Sequence, residues 1–75
     1  MSFRLQPGAD QAPFVRALQA LPDVTVRSLQ IEYDDQSDQW EVTAGVKTGI
    51  SVDLDSLLNA LAARTDVDRL TRDGS

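Results

Sequence analysis

Two apolar runs on either side of an acidic pentapeptide constrain the fold of this chain more than any other feature. The second run, from Gln39 to Lys47, alternates between apolar and other side chains. Its apolar members are Trp40, Val42, Ala44 and Val46. A period of two residues is typical of a strand with one buried face. The intervening Asp34-Asp35-Gln36-Ser37-Asp38 is rich in turn-forming residues, so the stretch from Val24 to Lys47 is predicted to form a β-hairpin.

The first apolar run changes phase once. Its first two apolar residues have even numbers and its last three have odd numbers: Val24, Val26, Leu29, Ile31 and Tyr33. A β-bulge inserts one extra residue into a strand and so reverses the alternation. We therefore predict a bulge near Arg27 and Ser28, which would place all these apolar side chains on the same face of the hairpin.

One amphipathic helix is predicted on each side of the hairpin. In the first, Phe14, Leu18 and Leu21 form an apolar stripe, Asp10 is the predicted N-cap, and Pro22 ends the helix. The second is predicted from Asp53 to Arg64. Its stripe consists of Leu54, Leu57, Leu58 and Leu61.

Two short strands complete the pattern, one from Ser2 to Gln6 and a weaker one from Val67 to Thr71. Residues 73–75 are predicted to be a frayed tail. The element order β-α-β-β-α-β, with similar helix–strand halves on both sides of the hairpin, predicts an α+β, ferredoxin-like fold. Right-handed crossovers would place both helices on one face of a four-stranded antiparallel sheet. The strands containing Phe3 and Trp40 would then be central, and residues 1–75 would form a single domain.

Composition narrows the possible functions. The chain of 75 residues carries a formal charge of −5 and contains neither cysteine nor histidine. Disulfides, the usual zinc sites and Ser-His or Cys-His catalytic pairs are therefore excluded. An acidic surface repels phosphate groups, so binding to nucleic acid or to anionic lipid is not expected. No apolar run reaches the ~18 residues of a membrane span, so direct membrane insertion of this segment is not expected.

Three groups of residues are candidate sites. The first group is the three carboxylates of the acidic turn, which offer oxygen ligands for Mg²⁺ or Ca²⁺: Asp34, Asp35 and Asp38. The same residue types also form solvated turns, and their spacing is not that of a calcium-binding loop. The second group is the loop Gln6-Pro7-Gly8, whose backbone N–H groups could receive a small carboxylate, although Pro-Gly also forms ordinary turns. Asp53 and Asp55, the third, resemble an acid/base pair, but their position at a helix start explains them as capping residues. No catalytic residue and no cofactor are predicted.

The whole pattern resembles an ACT-type domain, in particular the cytosolic C-terminal domain of the MgtC/SapB family. The similar stretch runs from Leu18 to Ile31 and continues through the acidic turn, the strand from Trp40 to Val46, the Leu-rich helix and Asp66-Val67. Two places depart from the family pattern. The last strand lacks an expected aromatic residue, and Gln6-Pro7-Gly8 only partly matches the Asp-x-Pro-Gly loop of amino-acid-binding ACT domains, which disfavours amino-acid sensing.

The resemblance implies a non-enzymatic regulatory or interaction domain of a membrane protein associated with magnesium transport, located on the cytoplasmic side of the inner or plasma membrane. On this hypothesis the domain is excised from a longer protein, and the native reading frame extends upstream of Ser2 and encodes apolar segments of ~20 residues. The alternative is a free-standing cytoplasmic ACT-type dimer that senses a small molecule.

The expected partner is another protein or a second copy of the chain. The predicted edge strand, residues 24–33, would leave a row of backbone groups unpaired, with Arg27 and Glu32 as its charges. A homodimer is therefore expected through this edge or through the helical face.

Overall fold

The computed structural model describes residues 1–71 and confirms the predicted order of elements. These are β1 (Ser2–Leu5), α1 (Gln11–Gln19), β2 (Val24–Asp34), β3 (Gln39–Thr48), α2 (Leu54–Ala62) and β4 (Val67–Thr71). The strands form one antiparallel sheet in the order β2-β3-β1-β4. The fold is therefore α+β with the ferredoxin-like arrangement, and β1 and β3 are central as predicted. The predicted frayed tail, residues 73–75, lies outside the described residues.

The β2–β3 hairpin is the longest paired segment, and it contains the predicted bulge. Val26 pairs with Val46 and Ser28 pairs with Gly45, so Arg27 is the extra residue. Beyond the bulge the pairing continues to Asp34 opposite Gln39. The apolar residues of β2 lie opposite Thr48, Val46, Ala44, Val42 and Trp40, which confirms that they share one face. A second irregularity, between Arg4 and Leu5 where β1 meets β4, was not predicted.

Both helices begin at the predicted caps and end slightly earlier than predicted. The Asp10 side chain accepts a hydrogen bond from the Ala12 backbone N–H at 3.1 Å. The Asp53 side chain accepts from the Ser56 backbone N–H at 3.3 Å and from the Ser56 hydroxyl at 2.8 Å. This pairing supports the interpretation of Asp53 as a capping residue. The strand β1 ends at Leu5 instead of Gln6, and the Gln6 N–H donates to the carbonyl of Asp66 in the turn before β4.

The core lies between the sheet and the two helices, and five of the six elements contribute buried side chains to it. Its members are Phe3, Leu5, Phe14, Leu18, Val42, Ala44, Leu58, Leu61 and Val67. The rings of Phe3 and Phe14 are 4.8 Å apart, which joins the central strand to α1. The element that contributes no buried residue is β2. It is long and rich in apolar residues, yet it lies at the margin of the core.

Candidate functional site

The acidic turn between β2 and β3 is held by its own side chains. The Asp34 carboxylate accepts a hydrogen bond from the Gln36 backbone N–H at 3.1 Å and lies 3.6 Å from the Arg4 guanidinium. Asp38 adopts a left-handed backbone conformation, with φ of 55°, and its carboxylate accepts a hydrogen bond from the Tyr33 hydroxyl. These contacts use two of the three carboxylates that the sequence offers as metal ligands.

Two pKa shifts follow from this arrangement. The Ser37 hydroxyl and then the Gln36 N–H lower the pKa of the Asp34 carboxyl. The Ser37 hydroxyl oxygen is buried and has no hydrogen-bond partner among the described residues, so the hydroxyl acts on Asp34 as a nearby dipole. The hydrogen bond to Asp38 raises the pKa of Tyr33 above its ordinary value. The main cause of each pKa shift is therefore a contact within residues 33–38.

The structure does not bring the three aspartates together as a metal site. Among residues 1–71, no group of three or more acidic side chains is arranged to hold an ion. Asp35 is exposed, and Asp34 already has a cation beside it in Arg4. The arrangement therefore favours the solvated-turn interpretation.

The loop Gln6-Pro7-Gly8 lies beside the acidic turn, so the structure places two predicted sites next to each other. Gly8 has a positive φ of 80°, and its N–H donates to the Asp38 carbonyl at 3.0 Å. The Gln6 N–H donates to the Asp66 carbonyl at 2.8 Å, and Pro7 has no N–H. The backbone donors proposed for a ligand carboxylate are thus used within the protein, and the loop ties β1 to the hairpin.

The open face of the sheet carries a polar network centred on Arg4. Its guanidinium contacts the Glu41 carboxylate at 3.1 Å and donates to the Gln39 side-chain oxygen at 3.3 Å. Gln39 is buried, and its amide nitrogen donates to the Leu5 carbonyl at 2.9 Å and to the Asp68 carboxylate at 3.1 Å. This network joins β1, β3 and β4 and was not predicted. The sequence signal for this network was Arg4, a charged residue between the apolar Phe3 and Leu5 of β1.

Next to this network lies a shallow depression of about 290 Å³. It is lined by Arg4, Glu32, Tyr33, Asp34, Asp35 and Glu41. Arg4 is its cation and is already paired with acidic neighbours, so the depression offers no free positive charge to an anionic ligand.

The outer strand β2 presents a different kind of surface. None of its residues is buried, and Ile31 and Tyr33 are 38% and 48% exposed. The Tyr33 ring packs against Trp40 with ring centres 5.0 Å apart. Trp40 is half-buried against the core, as predicted from its parity. We call the helix-side residues Leu29, Ile31, Tyr33 and Trp40 the β2 patch. It adjoins a sheet edge with no neighbouring strand in the described chain.

No protein-family model, curated protein or solved structure matches this chain. The resemblance to the MgtC/SapB family therefore stays a prediction. Among the described residues, no helix combines the length and the hydropathy that a membrane crossing requires.

Proposed function

We propose that this chain is a non-enzymatic interaction domain that binds a protein partner through the outer edge of β2 and the adjoining β2 patch. The observation that carries the proposal is that β2, with eleven residues, contributes none to the core and still exposes Ile31 and Tyr33. A long edge strand with unpaired backbone groups is a template for strand addition by another chain.

The two edges of the sheet differ in a way that supports this choice. The opposite edge, β4, has five residues and carries the adjacent charges Asp68 and Arg69. Short length and charge both protect an edge from pairing. From Ser28 to Asp34, by contrast, β2 pairs regularly with β3 over seven residues, contains neither proline nor lysine, and has Glu32 and Asp34 as its only charges. We therefore assign the contact surface to β2.

The resemblance gives this interaction domain a proposed setting. We propose that it belongs to a magnesium-associated, MgtC-like membrane protein, in which it acts as a regulatory domain on the cytoplasmic side of the membrane. Reading the native gene tests this part separately: apolar segments of ~20 residues encoded upstream of Ser2 are expected. A native protein that begins at Met1 would instead favour a free-standing domain.

Site-specific photo-crosslinking in the native host tests the interaction surface. A photoreactive residue replaces exposed Gln30 on the β2 edge, and a matched variant carries it at exposed Ala60 on α2. Crosslinked products are expected for the Gln30 variant and not for the Ala60 variant. Equal crosslinking at both positions, or none at Gln30, would contradict the proposal.

A titration tests the alternative, a small-molecule sensor. Backbone amide signals of the labelled protein are followed while Mg²⁺ and a panel of amino acids are added. Because Asp34 and Asp38 are engaged in the turn and the Gly8 N–H is used, we expect no saturable change at millimolar Mg²⁺ or amino acid. Sub-millimolar Mg²⁺ binding that Asp35→Asn abolishes would establish a metal site at the turn.

A further inference from the structure

The outer edge of β2 has a sequence that complements itself. Antiparallel strands place directly opposite residues on the same face of the sheet. In β2 the helix-side residues beyond the bulge are Leu29, Ile31 and Tyr33, and the open-face residues are Ser28, Gln30, Glu32 and Asp34. We infer that the partner of this edge is a second copy of the same chain, paired antiparallel about a twofold axis at Ile31. This inference rests on the proposed function.

In that register every apolar residue of β2 beyond the bulge lies opposite another apolar residue. Ile31 lies opposite Ile31 of the second copy, and Leu29 lies opposite Tyr33. The partly buried apolar side chains at the margin of the core in one copy would then contact those in the second copy. Aliphatic–aromatic pairs of this kind stabilise neighbouring strands. The two sheets would join into one with all the helices on one side.

The charges of the edge fit the same register. Arg27 is exposed, and among the described residues it makes no ion pair within its own chain. In the proposed register it lies beside Asp34 and Asp35 of the second copy, and symmetry produces this contact twice. Asp35 is likewise exposed at the end of the hairpin. The proposed dimer therefore pairs opposite charges on its two β2 edges, and no third chain is needed to neutralise them.

The open face supplies a further complementary pair. Within its own sheet Glu32 lies opposite Glu41, an unfavourable pairing of like charges. The second copy would place the Gln30 amide opposite Glu32, which gives this carboxylate a neutral hydrogen-bond donor. Moving the axis by one residue, to Gln30, would place Tyr33 opposite the bulge residue Arg27 and lose these contacts. The pairing pattern thus selects the axis at Ile31.

Cysteine crosslinking in the full chain tests the register, because the protein has no cysteine of its own. Opposite Cα atoms in antiparallel strands are about 4.5–5.5 Å apart, within the range for a disulfide. Ile31→Cys should therefore form a reducible disulfide-linked dimer under mild oxidation. The matched control is Gln30→Cys, one residue away, where the two copies would be diagonal at about 7–8 Å and should not crosslink.

A second crosslinking experiment tests the same register at residues away from the twofold axis. Leu29→Cys and Tyr33→Cys should each remain uncrosslinked alone but form a mixed disulfide when the two proteins are combined. If Leu29→Cys fails to fold because Leu29 is half-buried, the comparison of Ile31→Cys with Gln30→Cys still decides the register. Crosslinking at Gln30 and not at Ile31 would overturn it.

Charge variants test the recognition, with the dimer dissociation constant measured by analytical ultracentrifugation. Arg27→Asp should weaken the dimer about tenfold, because two favourable contacts become repulsive. Asp35→Arg should weaken it similarly, and the double variant should restore most of the affinity. Equal affinities of all variants would contradict the charge contacts.

The same measurements separate this inference from the proposed function. A chain that stays monomeric while the photoreactive Gln30 variant crosslinks to a different protein would overturn the second copy as partner and leave the interaction surface in place. Absence of both the dimer and any crosslink at Gln30 would overturn both.

Discussion

The hydroxyl group of Tyr33 donates to the carboxylate of Asp38, and both residues are exposed at the end of the hairpin. Deprotonation of the phenol would remove this hydrogen bond and place two negative charges together, so the pKa of Tyr33 is raised above 10.0. The neutral phenol is the form favoured by folding. Its contribution to stability is therefore complete below the ordinary pKa and is lost as pH rises through the folded-state value.

Because Tyr33 is the only tyrosine in the chain, its absorbance titration can be measured directly. The midpoint is expected above 10.0, and Asp38→Asn should move it toward 10.0. Asparagine retains the left-handed backbone of position 38, so the turn is preserved while the charge is removed. Asp35→Asn is the control and should produce a smaller change, because Asp35 acts only through its charge. An unchanged midpoint in Asp38→Asn would refute the coupling.

Gln39 is a buried polar residue whose amide nitrogen serves two acceptors, the Leu5 carbonyl and the Asp68 carboxylate. Gln39→Met keeps the volume but leaves the carbonyl unpaired, so unfolding free energy should fall by about 1–3 kcal/mol in urea titrations. Gln39→Glu keeps the oxygen that accepts from Arg4 but replaces the amide donor with an oxygen that faces the Leu5 carbonyl and the Asp68 carboxylate, so it should also destabilise the protein at neutral pH. Protonation of the new carboxyl group restores a donor to these acceptors, so part of this cost should disappear on acidification. A Gln39→Glu deficit that is independent of pH would contradict this account.

Helix α2 depends on Asp53 at its N-terminus. The hydroxyl and then the N–H of Ser56 lower the pKa of the Asp53 carboxyl, and Asp55 adds an acid in the first turn. A lowered pKa means that the ionised form is favoured by folding. This stabilisation is therefore present above the ordinary pKa of 3.8 and is lost as pH falls through the folded-state value.

Thermal unfolding of Asp53→Ala tests this cap. Its melting temperature should lie below that of the unmodified protein at neutral pH, and the difference should diminish in acid. Asp53→Asn should retain much of the capping, because asparagine also accepts from N–H groups. If Asp53→Ala unfolds like the unmodified protein, the cap contributes little.

All buried apolar residues among residues 1–71 belong to one cluster, so the molecule should unfold as a unit. Leu18 is completely buried in that cluster. Leu18→Ala should cost about 2–5 kcal/mol, against a total stability of roughly 4–11 kcal/mol expected for this length. Circular dichroism should show loss of both helices and the sheet in one transition at much lower urea concentration. Gln19→Ala, on the exposed side of the same helix, should change little, and separate transitions would contradict a single core.

The local pattern of side chains was sufficient to predict most of the fold. Period-two alternation identified β3, and the change of parity in β2 located the bulge at Arg27. Helix stripes with Asp10 and Asp53 as caps identified α1 and α2. These features depend on residues that are close together in the chain, so they can be recognised in the sequence without knowledge of the tertiary contacts. The predicted ends of the helices and strands were less exact, because hydrogen bonds such as the one from the Gln6 N–H to the Asp66 carbonyl join residues that are distant in sequence.

The candidate site could be predicted only in its parts. The sequence alone determined that no cysteine or histidine chemistry is present and that acidic residues gather between β2 and β3. Contacts between distant parts of the chain place the Gly8 N–H against the Asp38 carbonyl, join Arg4 and Gln39 in a polar network, and leave β2 outside the core. Each of these depends on which residues distant in sequence become neighbours. Burial and hydrogen-bond partners are properties of the packed sheet, whereas turn, strand and helix preferences are properties of the local chain.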